Sequence, residues 1–125
     1  MQHDEFIERV RERAGLGTQA EAERATYAVL ATLGDYLAGG EGKYLAAQLP
    51  QGVAEHLERR PPERSLLYSP DDFLQQVGEK EGASLEEARK HTRAVFSVLE
   101  EAVTEGEMRD IRRQFPAGFE PLFGS

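Results

Sequence analysis

The stretch YLAAQLPQGVAEHL, residues 44–57, decides how the chain is read, because DIRRQFPAGFEPLF, residues 110–123, repeats its plan. Gln48, Pro50 and Gly52 recur as Gln114, Pro116 and Gly118. Leu45, Leu49, Val53 and Leu57 recur as the apolar residues Ile111, Phe115, Phe119 and Phe123. Leu45 and Leu49, or Ile111 and Phe115, stand one helical turn apart and face inward together. A proline inside a continuous helix removes a backbone donor and costs roughly 3 kcal/mol. It is tolerated at the first position of a new helix, and it pushes the preceding residue toward extended geometry. The motif therefore predicts a helix, a proline corner and a short fourth helix carrying Val53 and Leu57, or Phe119 and Phe123.

Outward from this motif the echo covers most of the chain. Asp4, Phe6, Val10, Glu12 and Gly15 match Asp71, Phe73, Val77, Glu79 and Gly82. With the register shifted by one residue, Glu21, Ala22, Thr26, Ala28, Val29 and Leu33 match Glu87, Ala88, Thr92, Ala94, Val95 and Leu99. The shift falls between Gly15-Leu16-Gly17 and Gly82-Ala83, in a loop where insertion is cheapest. Each copy carries helical stripes: Phe6, Ile7, Val10 and Ala14, then Ala22, Ala25, Val29, Leu30, Leu33 and Leu37. The second copy has Phe73, Leu74 and Val77, then Ala88, Val95, Phe96, Leu99 and Val103. No stretch alternates long enough to suggest a strand.

Helix boundaries are written in the same way twice. Thr18-Gln-Ala-Glu21 and Ser84-Leu-Glu-Glu87 are capping-box patterns, and Ser69-Pro70 offers a cap followed by proline at the first helical position. Gly15 and Gly82 sit where the first helices stop, and Gly40 and Gly106 where the long second helices are expected to stop. Glu41 and Glu107 follow, in the expected first turn of a third helix. The fold expectation is all-α: a helical bundle built from two tandem copies of a four-helix unit with approximate internal two-fold symmetry. Residues 1–125 form a single compact domain in this reading, with repeat 1 at 3–57, a connecting segment at 58–68 and repeat 2 at 69–123. Pro61-Pro62 bars a continuous helix through the connection, while Leu66, Leu67 and Tyr68 predict that it packs back onto a unit.

Composition narrows function by exclusion. At 125 residues the chain can bury a core without metals or disulfides, and it has no cysteine. The charged start MQHDEFIERVRERAG holds no signal-peptide core, and no apolar run reaches the ~18 residues of a membrane span. A net charge of −8 repels phosphate backbones. These features predict a soluble cytoplasmic protein with no nucleic-acid or membrane partner.

The run ATYAVLATLGDYLAGGEGKYLAAQLP, with its echo HTRAVFSVLEEAVTEGEMRDIRRQFP and PLF, resembles a bacterial family named domain of unknown function 2267. The similarity spans nearly the whole chain. Tyr44 departs from the acidic residue that members often carry there, whereas Asp110 keeps it. The resemblance implies a helical protein with a repeated unit and a bacterial origin, and it implies no activity.

The residues themselves offer no catalytic constellation. His3 lies near a terminus, and His56 and His91 face Leu122 and Ala25 across the repeat, so no histidine belongs to the shared plan. Glu86-Glu87 and Glu100-Glu101 are read as solvating helix faces. The serines lack a nucleophile-elbow context, and GGEG at 39–42 lacks the lysine and hydroxyl of a phosphate loop. No metal, cofactor or enzymatic activity is predicted. Gln48 and Gln114 are the duplicated polar pair that helix propensity does not explain. Their amides serve backbone groups freed at the corner, or form equivalent recognition points. Arg109, Arg112 and Arg113 cluster on one predicted helix, either as a solvated face suited to a helix C-terminus or as a recognition patch. The functional expectation is a non-catalytic protein-interaction or regulatory module, a monomer or homodimer, with an unknown protein partner. The alternative is a sensor holding a small apolar ligand between helices.

Overall fold

Thr18 and Ser84 begin the two longest elements as the sequence predicts. Each hydroxyl accepts a hydrogen bond from the backbone N–H three residues on, while Glu21 or Glu87 reaches back to the cap's own N–H. In the computed structural model, which describes residues 1–37, 41–57 and 69–123, the elements are all helical. They are α1 (His3–Ala14), α2 (Gln19–Tyr36), α3 (Glu41–Gln48), α4 (Pro70–Glu81), α5 (Leu85–Ala102) and α6 (Glu105–Arg113). Two 3₁₀ segments complete the set, η1 (Ala54–His56) and η2 (Ala117–Phe123). There is no strand among the described residues. The expectations placed on Gly40 and on the connecting segment, including Leu66, Leu67 and Tyr68, lie outside the described residues.

α1 and α4 each run 12 residues and end at a left-handed glycine, Gly15 at φ 68° and Gly82 at φ 79°. Only a residue without a Cβ takes that conformation at little cost, so the chain reverses there. α2 and α5 each run 18 residues. α1 packs on both α2 and α5, α4 packs on both α5 and α2, and the two long helices also touch each other. The predicted stripes form the shared core: Phe6, Val10, Val29, Leu33, Phe73, Val77, Val95 and Leu99 are all fully buried. Each such side chain contributes roughly 1.5–3 kcal/mol by leaving water.

Ion pairs tie each short helix to the long helix of the other half. Arg13 donates to Glu101 at 2.6 Å and to the Ser97 hydroxyl at 2.8 Å, and Arg9 reaches the same Glu101 at 2.5 Å. On the opposite side Lys80 donates to Asp35 at 3.1 Å and to the Thr32 hydroxyl at 2.9 Å. These pairs are partly exposed, so each contributes modestly and chiefly fixes which helices meet.

Two details of the sequence reading change. Gly106 does not stop a helix; α5 ends at Ala102 and extended Val103, and Gly106 lies inside the first turn of α6. Thr104 sets that boundary, because its hydroxyl accepts the Glu107 N–H and starts the next helix earlier than the glycine suggested. The fourth elements are 3₁₀ rather than α-helical. The chain does bend at Leu49 and Phe115, and the prolines precede the closing segments rather than occupying their first positions. Pro50 supplies the carbonyl that accepts Val53 and Ala54, and Pro116 the one that accepts Phe119. Gly52 at φ 94° breaks the helical path in the first half, and Pro121 withholds a donor in the second. Short 3₁₀ pieces are what remains possible.

The two halves seal their closing segments by different means. In the first half α2 carries Gly34, and a Cβ there would come within 2.6 Å of the Leu57 carbonyl oxygen. Backbone meets backbone, so the closing segment lies directly on the helix. In the second half Glu100 occupies the corresponding position and pairs with Arg112. Arg112 also donates to the Phe123 carbonyl at 3.5 Å and lies 5.3 Å from the centre of the Phe123 ring. Aromatic residues fill the space beneath. Phe115 stacks on Tyr36 of α2 at 4.2 Å, and Phe73 meets Phe96, Phe115 and Phe119 edge-on.

Gly34→Ala gives a test in which two effects oppose. Helix propensity alone favours alanine by about 1 kcal/mol, whereas overpacking against a carbonyl destabilises by about 1–3 kcal/mol. Thermal denaturation should show a lower Tm than the parent chain; a higher one contradicts the close approach.

Candidate functional site

Gln48 stands at the end of α3, where the proline corner prevents the helix from continuing. Its side-chain oxygen accepts the backbone N–H of Thr104 at 2.8 Å. The bond therefore joins the first corner to the residue that caps α6, across 56 positions of sequence. Its amide serves a backbone group, but one in the other half rather than at its own corner. Gln114 is half-buried and forms the C-cap of α6, where its N–H bonds the carbonyls of Ile111 and Arg112.

The three arginines of α6 separate in role. Arg112 is committed to Glu100 and Phe123, so it holds the closing segment in place. Arg113 is well exposed and lies 3.8 Å from Asp110 within its own helix, a separation at which the pair adds little. Arg109 is exposed and forms one wall of an open groove of about 550 Å³ with Glu100, Glu105, Met108 and Arg112. Tyr44, on α3, is 67% exposed and is the most exposed large apolar side chain described.

Two arrangements went unforeseen in the sequence. His3 and His56, far apart in the chain, converge on Tyr27 of α2. His3 Nε2 lies 2.9 Å from the phenol oxygen, and the His56 ring stacks on the Tyr27 ring at 3.7 Å. Gly52 makes room, since a Cβ there would sit 3.0 Å from His3 Cδ2. Burial raises the Tyr27 pKa, and the neighbouring Glu23 adds to it. The cluster pins the start of α1 and the first closing segment to α2. No signal short of three-dimensional pairing could have found it, because the three residues share no periodicity.

The second arrangement is a buried polar pair between α4 and α5. Glu81 Oε2 lies 2.7 Å from His91 Nδ1, and both side chains are 8% exposed. The approach is off the line of a good hydrogen bond, and the second Glu81 oxygen has no hydrogen-bond partner among the described residues. The contact is an ion pair only when His91 is protonated. At the matching positions the first half carries Ala14 and Ala25, both buried. Laying the two similar stretches of sequence over each other sets Glu81 and His91 against methyl groups, which is the signal available in the sequence. Among the described residues, no three His, Asp or Glu side chains group closely enough to hold a metal ion.

Surface carboxylates are tuned by their local donors. The Ser84 N–H and then its hydroxyl hold Glu87 below the ordinary carboxylate range, and Arg13 followed by Arg9 does the same for Glu101. A carboxylate with a depressed folded-state pKa contributes stability above its unfolded pKa. That contribution is lost as pH falls through the lower folded value. Glu87 and Glu101 thus make the α5 cap and the α1–α5 clip weaken in acid.

Among the described residues the elements are all helical, and ion pairs join α1 to α5, α4 to α2 and α5 to α6. The family model described as an uncharacterized conserved protein, DUF2267, matches residues 3–122. The chain therefore belongs to the DUF2267 family. The comparison with curated proteins gave no match.

The buried pair yields a double-mutant test. Glu81→Ala and His91→Ala should each destabilise, by up to about 3 kcal/mol, because each leaves its partner without a counter-group. The double variant recreates the alanine pair of the first half and should lose clearly less than the sum of the two. Chemical denaturation of the four proteins measures this; strict additivity contradicts an interacting pair.

Proposed function

We propose that the chain is a non-catalytic protein-interaction module, built from two tandem copies of one four-element unit about an approximate two-fold axis. The duplication is supported by paired positions. Arg13 and Lys80 match in the repeat, as do Glu101 and Asp35, and the ion pairs Arg13–Glu101 and Lys80–Asp35 exchange the roles of the two halves. Each copy then lends its first helix to the other's long helix, as the subunits of a homodimer do across an isologous interface.

The observation that carries the interaction reading is the character of the open grooves. That on α6 presents Arg109 beside Glu100 and Glu105, and another, of about 870 Å³, is lined by Arg13, Arg89, Lys90 and Arg93 together with Glu86 and Glu87. Charged, open surfaces suit a protein partner's rim contacts better than they suit a small apolar ligand. The sensor reading loses support because the packed rings of Tyr36, Phe73, Phe115 and Phe119 occupy the aromatic interior. A chain with 23 acidic and 15 basic residues and no cysteine fits a bacterial cytoplasmic setting without nucleic-acid or membrane partners, as a monomer or homodimer. Within this reading Arg109 and Arg113 face the partner, while Gln48, Gln114 and Arg112 maintain the corners.

Affinity purification from the native host, followed by mass spectrometry, tests the proposal. A partner should co-purify with the parent chain and be depleted by Arg109→Glu/Arg113→Glu, whose melt stays unchanged. Recovery of the chain alone contradicts the interaction reading.

A further inference from the structure

The outward face of α5 carries a cationic set, Arg89, Lys90 and Arg93, that forms no ion pair among the described residues. Elsewhere carboxylates are plentiful and are used: Arg9, Arg11, Arg13, Lys80 and Arg112 all form ion pairs at 3.1 Å or closer. Arg89, Lys90 and Arg93 are exposed, and none of them has an ion pair or hydrogen bond among the described residues. Arg89 and Arg93 stand one turn apart, a like-charge spacing that weakens a helix slightly. Glu86 is correctly placed to pair with Lys90 at i, i+4, and no such pair forms. Instead the Lys90 ammonium lies beside the end of α1, 3.4 Å from where a Cβ on Gly15 would sit. Arg13 forms the facing wall and is held rigid by Ser97 and Glu101. At the matching positions α2 carries Glu23, Arg24 and Tyr27, so the full cationic set belongs to α5 alone.

We infer that this groove, of about 870 Å³, binds an acidic peptide segment of a partner protein. The inference rests on the interaction reading and names its chemistry. Planar arginine forks recognise carboxylates in a bidentate manner, and the rigid Arg13 wall limits the ordering that binding requires. The charge order along α5 selects a peptide over a nucleic acid. Glu86 and Glu87 precede the cations and line the same groove, whereas Glu100 and Glu101 are already paired with arginines. A uniformly anionic backbone meets repulsion at the Glu86–Glu87 end of the groove. A peptide with Asp or Glu residues opposite the cations and a Lys or Arg opposite Glu86 and Glu87 complements all of it.

Panning the purified full chain against a random dodecamer phage library tests this directly, with Arg89→Glu/Lys90→Glu/Arg93→Glu panned in parallel. Circular dichroism verifies that the variant is folded, and Arg89→Gln/Arg93→Gln replaces it should the reversal melt α5. The parent chain should enrich peptides with acidic residues. A synthetic copy of the enriched peptide should bind the variant at least about tenfold more weakly, with the loss growing at low salt. Enriched peptides without acidic bias, or binding that the variant leaves unchanged, overturn the groove while the interaction reading stands. No enrichment at all counts against both. Tighter binding of a twelve-nucleotide single strand than of the peptide overturns the choice of partner class.

Discussion

The contact between α2 and α5 is the constraint on which the rest of the structure depends. Each long helix has an apolar stripe too wide for its own short neighbour to cover, and the stripes meet. Once they do, α1 and α4 must each bridge both long helices, because each lies in the angle between them. The ion pairs Arg13–Glu101 and Lys80–Asp35 sit at the edges of these bridges and select the cross-half arrangement. Their exposure keeps their energy small, so apolar burial supplies the stability and charge supplies the choice of partner.

From that frame the halves diverge in how they finish. The first half closes with backbone on backbone, through Gly34 and Leu57, and the second closes with an ion pair and a cation over an aromatic ring. A similar trade occurs within the core, where Ala14 and Ala25 give way to Glu81 and His91. In the proposed duplication these exchanges keep the fold while altering chemistry on one side only. The cationic face of α5 belongs to the same pattern, since Arg89 and Arg93 replace Glu23 and the buttressed Tyr27.

Much of the fold was legible because it is local. Capping boxes at Thr18 and Ser84, left-handed glycines at 15 and 82, and periodic apolar stripes act over a few residues, and all lie where the sequence places them. Gly106 misled because a glycine signals only tolerance of a conformation, and the hydroxyl of Thr104 started α6 first. The 3₁₀ character of the closing segments was hidden because it follows from Gly52 and Pro121 acting on segments already short. Less of the candidate site was legible. Gln48 stood out in the sequence as unusual, and its partner is the distant Thr104, a pairing across the chain that has no sequence period. The same holds for His3, Tyr27 and His56, which only the packed structure brings together.

If the α2–α5 contact governs the molecule, neither half is an independent folding unit. Native-state hydrogen exchange reads this most directly, because it reports the opening free energy of each helix separately. The account predicts that amides near Leu30 and Leu33 in α2 and near Phe96 and Leu99 in α5 exchange through one shared global opening of equal free energy. Protection that persists in α5 after α2 has opened would contradict it.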